Sequence, residues 1–213
     1  MRSILVANPK GGSGKTTVAT NLAGLFAARR FSVVLADMDR QQSAASWLAR
    51  RPDELPQIPS WAMDANRKEL KAFHPDWLVV DSPAAIHGEK LTNLVRKMDL
   101  VLVPVSPSSF DMEATQNFLI ELRAQKPIRK GESQIAVVGN RVDARTIATA
   151  ELEEFLKTLE LPILSYLNDT QLYVHCARDG HSVFDVAPWR AERELEQWRP
   201  IARWLSRHIV EPA

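Results

Sequence analysis

The segment Lys10-Gly11-Gly12-Ser13-Gly14-Lys15-Thr16-Thr17 stands between an apolar, strand-like run, Ile4-Leu5-Val6-Ala7, and a helix-like run from Val18 to Arg29. A glycine-rich loop that leaves a strand and opens a helix is the arrangement that cradles a polyphosphate. Glycine permits the tight backbone path that turns successive N–H groups, from Gly11 through Thr17, inward on bound phosphates. The N-terminus of the following helix adds about half a positive charge. Lys15 is the residue placed to reach the β- and γ-phosphates, and the Thr16 hydroxyl is the one placed on Mg²⁺.

Short, continuous apolar runs recur between helix-like stretches along the rest of the chain. Strands are expected at Val33–Ala36, Trp77–Val80, Leu100–Val103 and Ile135–Gly139, with a shorter one at Ile163–Tyr166. Helices are expected at Ser43–Arg51, near Ala65–Phe73, at Lys90–Met98, Met112–Ala124 and Thr149–Leu159, and in a tail from Trp189 to Ile209 interrupted at Pro200. Pro52, Pro56 and Pro59 mark an irregular connection. Apolar runs without polar alternation suit strands covered on both faces. Strict strand–helix alternation then predicts an α/β fold with a doubly wound, mostly parallel sheet flanked by helices, in one domain spanning 1–213. Ligands of such folds sit at the carboxyl ends of the strands, where the remaining motifs fall.

Asp37-Met38-Asp39-Arg40-Gln41-Gln42-Ser43 closes the second strand, and an acid there reaches the γ-phosphate side of the loop to hold an attacking water. A helix cap is the plainer role for an Asp in that position. Trp77-Leu78-Val79-Val80-Asp81-Ser82-Pro83 is an apolar strand ending in an acid that can bind Mg²⁺ directly or through water. Asn140, with Arg141 next to it, follows the fifth strand, and its amide offers the donor and acceptor that read an adenine edge. In the tail, Arg199, Arg203 and Arg207 recur every four residues and share one helical face, opposite Ile201, Trp204, Leu205 and Ile209. Such a stripe either neutralises phosphates without reading sequence or is a solvated helix face. Arg123, Lys126, Arg129 and Lys130 form a second basic cluster.

The chain resembles the ParA/MinD family of P-loop ATPases. Pro9 occupies the position of the usual first glycine, and a second lysine, Lys10, precedes Gly11-Gly12, which is the deviant Walker A pattern of that family. The resemblance implies ATP as the nucleotide, Mg²⁺ as the metal, and an ATP-dependent homodimer in which Lys10 reaches the partner's phosphates. It implies Asp39 as the residue that positions the hydrolytic water, supported by Asp37, with Thr16, Asp81 and Asp39 on the metal side. Arg40 departs from the family, which has proline there. Val101 to Asp111 resembles a family motif that packs at the dimer face, and Asp179-Gly180-His181-Ser182-Val183-Phe184 one that borders the purine. The compact length is similar to small ParA proteins. These bind DNA non-specifically through basic residues near the C-terminus, here Arg199, Arg203 and Arg207. A ParB-like or cargo-adaptor protein stimulates their hydrolysis. A MinD-like membrane-associated ATPase is the alternative; it calls for a terminal amphipathic helix with free apolar residues, whereas this chain ends Glu211-Pro212-Ala213. A small-molecule ligase of the same superfamily fits the Lys10-Gly11-Gly12 signature poorly.

Composition narrows the partners. A net charge of +1 gives no global field for a polyanion, so any DNA-binding surface must be local. The lone Cys176 cannot form an intrachain disulfide or hold a metal cluster. No apolar run approaches the ~20 residues of a membrane span. The sequence runs directly into its first strand, so neither a leader nor membrane attachment is expected, and the chain is expected in the cytoplasm, associated with the nucleoid.

Overall fold

The computed structural model describes residues 1–61, 70 and 72–208. Six strands form one parallel sheet: β1 (Arg2–Val6), β2 (Val33–Asp37), β3 (Trp77–Asp81), β4 (Leu100–Val105), β5 (Gln134–Val142) and β6 (Ile163–Asn168), in the order β2-β3-β1-β4-β5-β6. The helices between them are α1 (Lys15–Ala28), α2 (Ser43–Ala49), α3 (Gly88–Val95), α4 (Ser109–Arg123), the single turn α5 (Lys126–Arg129), α6 (Ile147–Thr158), α7 (Gln171–Arg178) and α8 (Glu192–Ser206). The doubly wound architecture read from the sequence is the observed one. The expected helix near Ala65–Phe73 falls largely outside the described residues, as does Ile209.

The inner strands are buried on both faces, the period of two sending neighbouring residues to opposite layers, while edge strand β6 is only partly covered. Ile4 and Val6 join a core with α1, Trp47 of α2 and Trp198, Ile201 and Leu205 of α8. Leu5 and Ala7 join the opposite core with Leu91 and Leu94 of α3, Phe118 and Leu122 of α4, and Leu152 and Leu156 of α6. Central α1 is enclosed almost all round, with Phe26 stacked on Trp77 at 4.2 Å. After β1 the chain turns to β2 at one edge, whereas β3 passes to β4 on the other side of β1. That reversal opens a crevice at the carboxyl end of β1.

Three expectations need correction. α8 runs unbroken through Pro200. Proline removes one backbone donor, but burial of Trp198, Ile201, Ala202, Trp204 and Leu205 against β6 holds the helix together. β5 continues to Val142, so Asn140 and Arg141 belong to the strand rather than follow it. α7 was not expected at all.

Loop and helix are locked on the α2 side by a buried ion pair. Arg51 Nη1 and Nη2 each lie 3.0 Å from the Asp185 carboxylate, and both side chains are at most 3% exposed. Arg51 also donates to the carbonyls of Pro56 and Gly180, Arg50 to that of Ala177, and Trp47 Nε1 to that of His181. Gly180 must be glycine here. Its φ is +71°, and a Cβ would come within 2.4 Å of the Arg50 carbonyl group and 2.5 Å of the Arg51 nitrogen, all backbone. Gly180→Ala is expected to destabilise the chain by about 2–4 kcal/mol, read in urea as a lower midpoint at unchanged slope.

Candidate functional site

Parallel register assembles the site. Val6 pairs with Asp81, and Asp37 pairs with Asp81 from the other side, so the strand entering the glycine loop and two strand-end acids lie side by side. Above them opens a cleft of about 610 Å³, lined by Gly11, Gly12, Gly14, Lys15, Thr16 and Thr17. Its far walls bring in Asp39, Gln41 and Ser43 on one side and Asn140 and Arg141 on another. The volume is that of a pocket for a nucleotide-sized ligand.

The loop is held from beneath. Asn8 Oδ1 accepts from the Lys10 N–H, and its Nδ2 donates to the Pro104 carbonyl and to Thr115 Oγ1. Ser13, fully buried, donates through Oγ to the Lys10 carbonyl. Asn140 Nδ2 donates to the Ser13 carbonyl at 2.9 Å. Its amide is thus engaged by the loop, and it passes so close to Gly14 that a Cβ there would sit 2.0 Å from Nδ2. Lys15 is buried, and its ammonium donates to the Lys10 carbonyl at 2.8 Å. Burial lowers the Lys15 pKa, opposed by the fields of Asp81, Asp39 and Asp111. The Lys10 side chain lines neither this cleft nor the smaller one beside it.

Thr16 Oγ1 donates to Asp81 Oδ2 at 2.7 Å, while Asp81 Oδ1 is buried with no hydrogen-bond partner. Desolvation, with the charges of Asp37 and Asp39 nearby, pushes the Asp81 pKa up to about 7. A carboxylate so placed, with one oxygen on a threonine hydroxyl and the other orphaned, fits a divalent cation completed by phosphate and water oxygens. Among the described residues no cluster of three or more His, Cys, Asp or Glu side chains forms a protein-only metal cage. Magnesium characteristically binds through one or two carboxylates, so the donor set suits it.

Asp37 and Asp39 divide their work differently from each other. Asp37 accepts from the backbone of Asp39 through Oδ1 and of Ala45 through Oδ2, tying the loop to the start of α2. Asp39 lines the cleft and accepts from the Gln41 and Ala84 N–H groups. Gln42 N donates to the Asp39 carbonyl, closing a turn with Arg40 at its second position, where proline is favoured and arginine is accommodated.

The sequence reading missed the wall contributed by Asn168, Asp169, Thr170, Tyr173, Val174 and Ala177 at the end of β6 and along α7. The available signal was Thr170 as a helix cap followed by Tyr173 and Cys176 three residues apart, both buried. The segment Asp179–Phe184 lines no part of the cleft; it packs beneath, with Val183 N donating to Asn21 Oδ1 of α1. Arg199 and Arg203 are exposed on α8 and Arg207 is exposed at its C-terminal cap, and Arg199 lies 3.7 Å from Glu196.

The profile of the CobQ/CobB/MinD/ParA nucleotide binding domain matches residues 4–183. The maintenance of carboxysome distribution protein A of Gloeobacter kilaueensis is 31% identical over 215 residues, covering 97% of this chain and 94% of that protein. Among solved structures, the Cyanothece McdA–ATP complex superposes with a TM-score of 0.73 at 17% identity, covering 95% of this chain and 96% of that one. The MinC:MinD cell division complex of Aquifex aeolicus gives a TM-score of 0.74 at 18% identity, covering 100% and 99%.

The state of Asp81 yields a pH test. A folded-state pKa near 7, against an ordinary 3.8, means the free protein holds a proton between about pH 4 and 7 that the unfolded chain has lost. This group's stabilisation is therefore full below that window and fades as pH rises through it. Cation binding must expel the proton, so calorimetry of Mg²⁺–ATP binding in buffers of differing ionisation enthalpy should register proton release at pH 6 and almost none at pH 8. Asp81→Asn should raise the melting temperature of the free protein at pH 8 by about 3 °C or more and abolish the further rise caused by Mg²⁺ with ATP.

Proposed function

The chain belongs to the CobQ/CobB/MinD/ParA nucleotide-binding family, and on that basis we propose that it works as a ParA-like positioning ATPase. The observation that carries the reading is the convergence of the Thr16–Asp81 pair, Lys15 and Asp39 on one cleft. ATP binds with its phosphates against the loop N–H groups from Gly11 to Thr17. Lys15 exchanges its Lys10 carbonyl partner for β- and γ-phosphate oxygens. Asn140 and Arg141 face the nucleotide beyond the loop. Thr16 and Asp81 hold Mg²⁺, which when bound neutralises charge building on the phosphate oxygens, and Asp39 lies on the same side. Asp39 orients the hydrolytic water and accepts its proton; Asp37 keeps Asp39 in position through the backbone.

Two ATP-loaded copies close face to face, with Lys10 of each reaching the other's phosphates. The dimer doubles the Arg199, Arg203 and Arg207 stripe, which gives a chain of net charge +1 a local surface for DNA backbone. A ParB-like protein or cargo adaptor then stimulates hydrolysis and releases the dimer, acting in the cytoplasm on nucleoid DNA. The cargo is a plasmid, a chromosome or a protein body; the relative named for carboxysome distribution favours the last. No helix among the described residues is long and apolar enough to cross a membrane. The apolar side of α8 is occupied by the core, which disfavours its use as a membrane anchor.

The test is a DNA mobility shift with ATP, with ADP and without nucleotide. Binding with ATP alone supports the reading, whereas equal binding in all three or none in any contradicts it. Arg203→Ala and Arg207→Ala should each flatten the salt dependence of DNA binding by roughly 0.9 in slope, equally on unrelated sequences. Asp39→Ala should retain ATP affinity within about threefold while slowing steady-state hydrolysis about 100-fold.

A further inference from the structure

Of the chain's six tryptophans, Trp47, Trp61, Trp77, Trp198 and Trp204 are each at most 7% exposed, whereas Trp189 is 79% exposed. No aromatic ring packs on Trp189 among the described residues. Leaving so large an apolar ring in water is unfavourable unless something covers it. The ring does not hang from a loose segment. It belongs to a single turn of 3-10 helix, Pro188–Arg190, directly ahead of α8. Pro188 fixes the backbone at the first position of that turn. Arg190 N donates to the Ala187 carbonyl, and Ala191 N to that of Pro188. Ala191 is fully buried, and its carbonyl accepts from Leu195 N in the first turn of α8. The indole is thus held out to solvent on a fixed mount.

Its chain neighbours are cationic. Arg190 and Arg193 are exposed and form no ion pair among the described residues, and Glu192 is the exposed acid between them. Farther along α8 the exposed charges are Arg199, Arg203 and Arg207 against Glu196. A flat apolar ring beside unpaired guanidinium groups complements a nucleobase beside its phosphates: the ring takes the base face and the arginines take the backbone. An anionic membrane also carries negative charge, but binding at its surface grows with apolar area, and the apolar side of α8 is already in the core. One ring suffices for one base. We propose that Trp189 stacks on an unpaired or unstacked base of bound DNA while Arg190 and Arg193 meet the adjoining phosphates. The inference rests on the DNA-binding reading above and adds a base contact to a surface described there by charge alone. Single-stranded DNA offers that base face freely, whereas a duplex must first be unstacked, so the single strand gains more from the ring.

The experiment is a fluorescence titration of the full chain, with saturating Mg²⁺–ATP, against a single-stranded oligonucleotide and against its duplex. The single strand should quench tryptophan emission of the wild type and leave that of Trp189→Phe unchanged, because the remaining indoles are buried. Trp189→Ala should weaken single-strand binding about tenfold, and Trp189→Phe, which keeps a ring, by about threefold or less. Duplex binding of Trp189→Ala should fall by no more than about threefold. The salt slope should stay at the wild-type value in both variants, since a ring and no phosphate contact is lost. DNA binding by the wild type with no quenching, and with Trp189→Ala equal to it on both DNAs, overturns the inference and leaves the DNA-binding reading intact. Quenching by phosphatidylglycerol vesicles and not by DNA assigns the ring to a membrane and likewise overturns it. No binding of either DNA by the wild type with ATP overturns both.

Discussion

A carboxylate kept out of water at the end of β3 is the constraint around which the site is arranged. Asp81 is 1% exposed, one of its oxygens is tied to Thr16 and the other is bare. Burying such a group costs several kcal/mol unless it is paired or protonated, and burial pushes the Asp81 pKa up to about 7. The unfavourable burial persists because the sheet dictates it: β3 is flanked by β1 and β2 in register, and the residues paired with Asp81 there, Val6 and Asp37, supply no cation. A divalent ion held by Asp81 and by Thr16, on the first turn of α1, would offset that cost.

A second constraint joins the two ends of the cleft. α2 follows the Asp37–Asp39 loop and leads, just past its end, to Arg51, whose guanidinium is locked to Asp185, Gly180 and Pro56. Arg50 meanwhile holds the carbonyl of Ala177, a residue of the opposite wall. One short helix therefore connects the Asp39 side of the cleft with the side formed by α7. Breaking a buried pair of this kind leaves an uncompensated charge, so the connection is stiff.

Sequence made the chemistry legible because its signals are local. The glycine loop, the acids Asp37 and Asp81 that end two of the apolar runs, and the unbroken burial of Ile4–Ala7 or Val79–Val80 can all be read within a window of ten residues. What escaped reading depends on partners far along the chain. Arg51, in a proline-rich stretch, has the signature of a surface arginine until Asp185, 134 residues away, is brought to it. Asn140 offers an amide to any neighbour; the fold delivers the Ser13 carbonyl. Pro200 breaks helices in isolation, but α8 is held by its buried tryptophans rather than by intrinsic propensity. α7 is short, eight residues, and its buried side is only Tyr173 and Cys176, which leaves little sequence to read.

The central claim is that nucleotide state governs association of this chain. The most direct measurement is the solution mass of the unmodified protein at one concentration with Mg²⁺–ATP, with Mg²⁺–ADP and with neither, by sedimentation or light scattering. The account predicts a mass near 48 kDa, twice the 24.0 kDa chain, with ATP and a single chain's mass otherwise. The same mass in all three conditions would contradict it.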